Sequence, residues 1–322
     1  MRRNNKLYRM RQYLKLIALS SFWGSSFLAI KFAIAEVPPI FAATLRMVVA
    51  LSFFLLILLF RKKPRTITTK MLPRVWLTGL FSIGIPFSLL FLGIRDASVC
   101  FTGIMDGSVP LWTFLWLLVF ARQLEPVTPT RFLGLLLGLG GILIIFYPHL
   151  SHLGGGLRGK ILLVLMANAY AIGVLMNRML FVGSKQMDLI ENVANQTAAS
   201  LVYLATVSFF FEDWSTIHPS HWGAGAYAAI LYLGLCCTAL AWIFFYSLIR
   251  EWGALRASVV CYLTPPMAML FDFLVTGTPA SAFELAGTAT ILLGVALVET
   301  QQASQRRRAS VAPTRTAKAA LR

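Results

Sequence analysis

Apolar runs of roughly twenty residues follow one another along the whole chain, and each is long enough to cross a hydrocarbon layer about 30 Å thick as a helix. They fall at about residues 14–35, 39–60, 75–95, 99–120, 131–148, 159–180, 188–210, 223–247, 255–276 and 283–299. The gaps between them leave no room for a soluble domain. Open sheet edges do not survive in lipid, so helices are the form these runs must take. Composition agrees: only 13% of residues are charged and 58% are apolar, whereas a soluble domain carries about 25% charged residues. The expected fold is an all-α integral membrane protein with ten transmembrane helices.

A net charge of +17 suggests nucleic acid in a soluble protein, but its distribution suggests orientation instead. With the N-terminus inside, 24 of the 29 Lys and Arg fall in inward segments and only Arg95, Arg158 and Lys160 in outward ones. That asymmetry predicts both termini in the cytoplasm and anionic lipid headgroups, not nucleic acid, as the neighbours of the basic segments. The first run has the look of a signal peptide ending at Ala33-Ile34-Ala35, but Lys31 interrupts it and a second span follows. Cys100, Cys236, Cys237 and Cys261 all fall in spans and read as small buried apolar groups.

The two halves of the chain align with each other. Arg95-Asp96 and Pro110 match Arg250-Glu251 and Pro265 at an offset of 155; Gly134 and Gly141 match Gly287 and Gly294 at 153; Trp23 and Lys31 match Tyr170 and Arg178 at 147. An ordered set of this kind points to duplication. Five spans is an odd number, so the second copy enters the membrane from the opposite side, as an inverted-topology repeat. The expected organisation is a basic N-terminal segment (1–13), a first five-helix repeat (14–148), an external linker (149–158), a second five-helix repeat (159–299) and a disordered basic tail (300–322).

The stretch Phe22-Trp23-Gly24-Ser25-Ser26-Phe27, with Ala29-Ile30-Lys31, Pro38-Pro39 and Ala43-Thr44-Leu45-Arg46, resembles the opening of an EamA-type repeat. Glu125-Pro126-Val127-Thr128-Pro129 leading to Gly134 does so too. Over about residues 14–299 the chain is similar to members of the drug/metabolite transporter superfamily. Thr278 stands where that family usually has Glu, and Gln196 aligns roughly with Arg46. The resemblance implies a ten-helix fold in a bacterial inner membrane and small-molecule transport, often export of amino acids or other metabolites.

Ionisable groups inside a membrane cost about 2.5–3.5 kcal/mol near a helix centre, so each needs a reason. Lys31 and Arg46, joined by the short Glu36–Pro39 turn, are expected to line one cavity as a cationic site for a carboxylate or phosphate. The alternative is a pairing with Glu36 or with helix-end carbonyls. Asp106, one turn before Pro110, is the candidate for handling a proton or a solute amine, against a static ion pair with Lys31 or Arg46. Asp272 is a second proton-coupling candidate. Asn168 and Gln196, with Tyr170 and Asn195, can bond a polar solute or a neighbouring helix. Tyr262, beside Pro265-Pro266, is expected to shape the site, and Trp112, Trp116 and Trp242 are further stacking candidates. Pro86, Pro110, Pro265 and Pro266 concentrate at mid-span, where broken helices flank a cavity. His149, His152, His218 and His221 in two outer loops lack convincing metal spacing.

No phosphate-binding glycine loop and no nucleophile–base pair is evident, so neither ATP-driven pumping nor catalysis is expected, and no cofactor. The reading is a secondary transporter with a small-molecule solute, membrane lipids around it and protons as a candidate coupling ion. The alternatives are a membrane scaffold or accessory subunit and a lipid-acting enzyme.

Overall fold

A computed structural model describes residues 2–61, 65–97, 99–125, 128–148, 156–184, 186–276, 279 and 281–311, with side chains for all of these except 2–9, 99, 100, 216, 272, 275, 276 and 299–311. Ten membrane helices run as expected: α1 Arg2–Ile34, α2 Pro39–Phe60, α3 Leu72–Asp96, α4 Val99–Phe120, α5 Pro129–Phe146, α6 Leu157–Gly183, α7 Leu189–Phe211, α8 Ala224–Trp252, α9 Ala254–Ser258 continuing as Val260–Thr276, and α10 Ala282–Val311. Nine are apolar over at least 18 residues, and α10 carries the shorter apolar stretch Ala282–Val298. Large apolar side chains such as Leu28, Phe32, Leu59, Phe211 and Leu274 are exposed, forming the apolar outer surface that lipid covers.

The tail expected to be disordered from residue 300 continues as helix to Val311. Gln, Ala and Arg are good helix formers, and extending an existing helix escapes the nucleation cost. The remaining tail, Lys185, Thr278 and the His149–His152 segment lie outside the described residues.

Helix ends are fixed by side chains reaching across the fold. Pro39 opens α2 where its missing N–H is harmless, and Glu212 at the end of α7 accepts the next two amides, Ile40 N and Phe41 N, at 2.7 Å each. Asp188 caps α7 by accepting from Ile190 N and Glu191 N. Glu125 accepts from Ala254 N and Leu255 N and so caps α9 from the α4–α5 loop. Gly253 before it has φ +97°, and a Cβ there would run into the Glu125 carboxylate.

Cross-repeat packing follows the duplication. α1 lies against α9 and α8, and the matching helix α6 lies against α4 and α3; α2 meets α8 as α7 meets α3. α2·α7 and α5·α10 pair with their own equivalents. At the last contact a Cβ on Gly134 would stand 2.8 Å from Gly294 O, and one on Gly141 2.6 Å from Gly287 O. Gly134 corresponds to Gly287 and Gly141 to Gly294, so the contact is self-complementary, as a two-fold axis requires. α3 and α8 also share a wide π-helical turn, at Leu80–Gly84 and Leu235–Leu240, again 155 residues apart.

Candidate functional site

A small cavity of about 50 Å³ lies among α1, α2, α3, α4, α6, α8 and α9. Its walls obey the repeat. Trp23 and Tyr170, Phe27 and Val174, Phe87 and Trp242, Leu90 and Phe245, Asp106 and Cys261, and Val109 and Thr264 all line it, and each pair is related by the offsets of the internal duplication. The cavity therefore sits on the pseudo-two-fold axis. Three further lining residues, Ser26, Ile30 and Arg46, belong to the first repeat alone; their equivalents Gly173, Asn177 and Gln196 are withdrawn from it.

Local sequence makes this space. Trp23, Ser26, Phe27 and Ile30 share one face of α1 at helical spacing. Pro110 and Pro265 have no N–H, which leaves the carbonyls four residues back, those of Asp106 and Cys261, without their helical donor. Both of those residues line the cavity. Arg46 and Asp106 each stand seven residues inside helices that start at the same face, about 10 Å along the axis.

Arg46 is 3% exposed and held by the π turn of α8. Its Nε donates to Thr238 Oγ1 and one Nη to the Cys237 carbonyl at 2.9 Å, while the guanidinium lies 4.4 Å from the centre of the Phe87 ring. A π turn frees a carbonyl from its helical partner, and Arg46 takes it up. Asp106 makes no hydrogen bond and no ion pair among the described residues, and it is not paired with Arg46 although both line one cavity. A cation and an unpaired carboxylate thus face a space otherwise walled by apolar and aromatic side chains.

The other expected site residues are placed differently. Lys31 is exposed and does not line the cavity: it shares the outer stripe of α1 with Leu28 and Phe32, where a long side chain near a helix end reaches the interface. Tyr262 is fully buried but points to α5, packing on Gly138 and donating to Leu135 O at 2.8 Å; neighbouring positions on a helix differ by about 100°, and Cys261 takes the cavity side. Asn168 donates to Val164 O on its own helix, and Asn195 to Glu191 O. Gln196 lies in a closed network, donating to Asn177 Oδ1 at 2.8 Å and Asn192 Oδ1 at 3.1 Å and accepting from Tyr246 OH. Asn177 in turn donates to Ser82 Oγ in the π turn of α3. Gln196 thus engages the opposite π turn through Asn177, mirroring Arg46. Asp272's side chain lies outside the described residues. Trp23, Phe87, Phe245 and Thr264 were not singled out as site residues, although adding 155 to Asp106 and Val109 points to Cys261 and Thr264.

The face at which α1 begins and α10 ends carries a set of polar contacts between helices. Lys15 pairs with Glu251 at 3.5 Å and donates to Ser247, and Gln12 also donates to Glu251. Arg178 pairs with Glu125 at 3.2 Å and donates to the Ile249 and Arg250 carbonyls. Burial pushes the Glu125 carboxyl above the usual carboxylate range, with the Ala254 amide, Arg178 and the Leu255 amide pulling the other way.

Ten helices in two inverted repeats, with a cavity on the axis between them, define a class: membrane proteins built on the inverted-repeat plan of transporters. The model of the EamA-like transporter family matches the chain twice, over residues 10–147 and 157–300, and the chain belongs to that family. An uncharacterized transporter of Archaeoglobus fulgidus is 24% identical over 290 residues, covering 90% of this chain and 99% of its own. Another, YvbV of Bacillus subtilis, is 27% identical over 94% of this chain and 95% of its own. The uncharacterized inner membrane transporter YedA of Escherichia coli is 25% identical over 88% and 89%. A crystal structure of an 18% identical protein superposes with a TM-score of 0.73 over 90% of this chain and 96% of that one, a likeness of fold alone.

Proposed function

We propose that this transporter moves a small zwitterionic or amphiphilic metabolite, an amino acid or a related solute, by alternating access around the cavity on its pseudo-two-fold axis. The observation that carries this reading is that Arg46 and Asp106 share one cavity without pairing. A charge buried merely for structure is expected to be satisfied, because an unpaired one in a low-dielectric site is costly. Arg46 would receive the solute's acidic end and Asp106 its amine or a coupling proton, with the aromatic walls taking its apolar body. Pairing of the Lys15 and Arg178 contacts at one face suits a state closed on the side of the chain ends.

Positive charge on the inward segments and the family's habits favour a bacterial inner membrane, cytoplasmic termini, and export or exchange. A scaffold that transports nothing leaves the unpaired carboxylate without a reason. The test is a thermal-shift screen of the purified protein against amino acids, carboxylates, sugar phosphates and amphiphilic cations. A ligand stabilises by RT ln(1 + [L]/Kd), and hits should then be carried into proteoliposome flux. Stabilisation and flux by zwitterions support the reading; silence across the whole panel refutes it.

A further inference from the structure

A second and larger cavity, of about 650 Å³, opens between the end of α2, the connector 65–72 and the start of α7. It lies away from the axial cavity and shares no lining residue with it. Leu55, Leu58 and Leu59 line it from one face of α2, at the i, i+3, i+4 spacing of neighbours on a helix. Leu55 is 50% and Leu59 80% exposed, so this wall runs on into the apolar surface that lipid covers. Much of the remaining lining is polar, with Arg61, Arg65, Thr68, Thr69 and Asn195.

Two carboxylates, Asp188 and Glu191, also line the cavity, but the fold already uses both. Asp188 pairs with Arg61 at 3.3 Å and caps α7. Glu191 accepts from Thr66 N at 2.7 Å, Thr66 Oγ1 at 2.6 Å and Ile67 N at 3.3 Å. These bonds tie the connector to the first turn of α7. Arg65 makes no hydrogen bond and no ion pair among the described residues. The cavity thus joins one unmatched cation and several hydroxyl and amide groups to a leucine wall continuous with the membrane surface. A soluble anion has no use for the leucines, and an apolar chain has none for Arg65. An amphiphile with one negative charge matches both.

We propose that this cavity is a binding site for an anionic phospholipid with an uncharged headgroup. Its phosphodiester sits on Arg65, its headgroup hydroxyls on Thr68, Thr69 and Asn195, and an acyl chain along the leucine wall. Basic pockets between membrane helices hold lipid headgroups in this way.

The full-length protein, freed of lipid in detergent, is titrated by native mass spectrometry with dioleoyl phosphatidylglycerol, dioleoyl phosphatidylcholine and chainless glycerol 3-phosphate. Phosphatidylglycerol should bind at least about ten-fold more tightly than either of the others, and Arg65→Gln should remove about ten-fold of that affinity. Arg74→Gln, an exposed cation outside the cavity, should leave it unchanged. No preference for phosphatidylglycerol over phosphatidylcholine overturns the proposal. So does an equal loss in Arg74→Gln, the mark of diffuse attraction to a basic face, and so does glycerol 3-phosphate binding as tightly, the mark of a free-anion site. Should Arg65→Gln fail to fold, Thr69→Trp fills the cavity from an exposed position and should lower phosphatidylglycerol affinity; unchanged affinity there overturns the site.

Discussion

Replacing Asp106 by Asn separates a functional carboxylate from a structural one more sharply than any other single change. The side chain lies about 10 Å along α4 from its start, faces the cavity, and makes no hydrogen bond or ion pair among the described residues. Asn is nearly isosteric, so no packing is lost. An ionised carboxylate near a helix centre costs about 2.5–3.5 kcal/mol on insertion scales. Asp106→Asn removes that cost where the group is charged and changes little where it is already protonated. The expected effect on stability therefore runs from neutral to about 3 kcal/mol in favour of the variant. Flux driven by a pH gradient should be abolished. Urea unfolding in mixed micelles gives the first quantity, and solute uptake into proteoliposomes with and without a pH gradient gives the second. Destabilisation by more than about 1 kcal/mol would show that Asp106 holds the fold together. Unchanged pH-driven flux would remove it from the coupling role.

Two further substitutions test the frame. Gly141→Ala should destabilise by about 1–3 kcal/mol, because its Cβ meets Gly287 O at 2.6 Å and Ile291 N at 2.8 Å, backbone atoms that cannot rotate away. Gly287→Ala meets the reciprocal atoms, Gly141 O and Ile145 N, and should cost about the same; wild-type stability in either, read by thermal unfolding, contradicts the self-complementary contact. Glu125→Gln should flatten the pH dependence of stability. Burial raises the Glu125 pKa in the folded protein, so its contribution is full below the unfolded carboxylate value and is lost as pH rises through the raised one. The difference in melting temperature between wild type and variant should therefore move against wild type as pH rises from the acid side. A difference that stays constant with pH would refute the assignment.

Number, length and duplication of the helices could be read from the sequence because the bilayer imposes a length on every span and the repeat left Arg95, Pro110 and Gly134 matched to Arg250, Pro265 and Gly287. Facing could not be read in the same way. In a soluble helix the polar stripe reveals the exposed side, but here lipid and protein interior are both apolar, and the choice between Tyr262 and Cys261 has no signature in polarity. Lys31 shows the converse: a charge inside an apolar run looks buried, yet four methylenes carry it to the interface. Arg46 and Asp106 were found because an intramembrane charge is conspicuous in any register. The π turns at Leu80–Gly84 and Leu235–Leu240 were invisible, since one extra residue in a turn leaves no compositional mark. Trp242 is one of several span aromatics in the sequence, and only the fold shows its ring packed edge-on against Trp23, Phe245 and Tyr246.

The central claim is a cavity on a two-fold axis whose two halves exchange roles. Ile30 lines it now, and its equivalent Asn177 is buried in the network with Gln196 and Ser82. Single cysteines at these positions, Ile30→Cys and Asn177→Cys in a background without other cysteines, can be probed with a membrane-impermeant thiol reagent added to either face of oriented vesicles. Exchange predicts labelling of position 30 from the face opposite the chain ends and of position 177 from the face that carries them. Any solute or pH that raises one rate should lower the other. Rates that rise and fall together, or labelling of both positions from a single face, would contradict it.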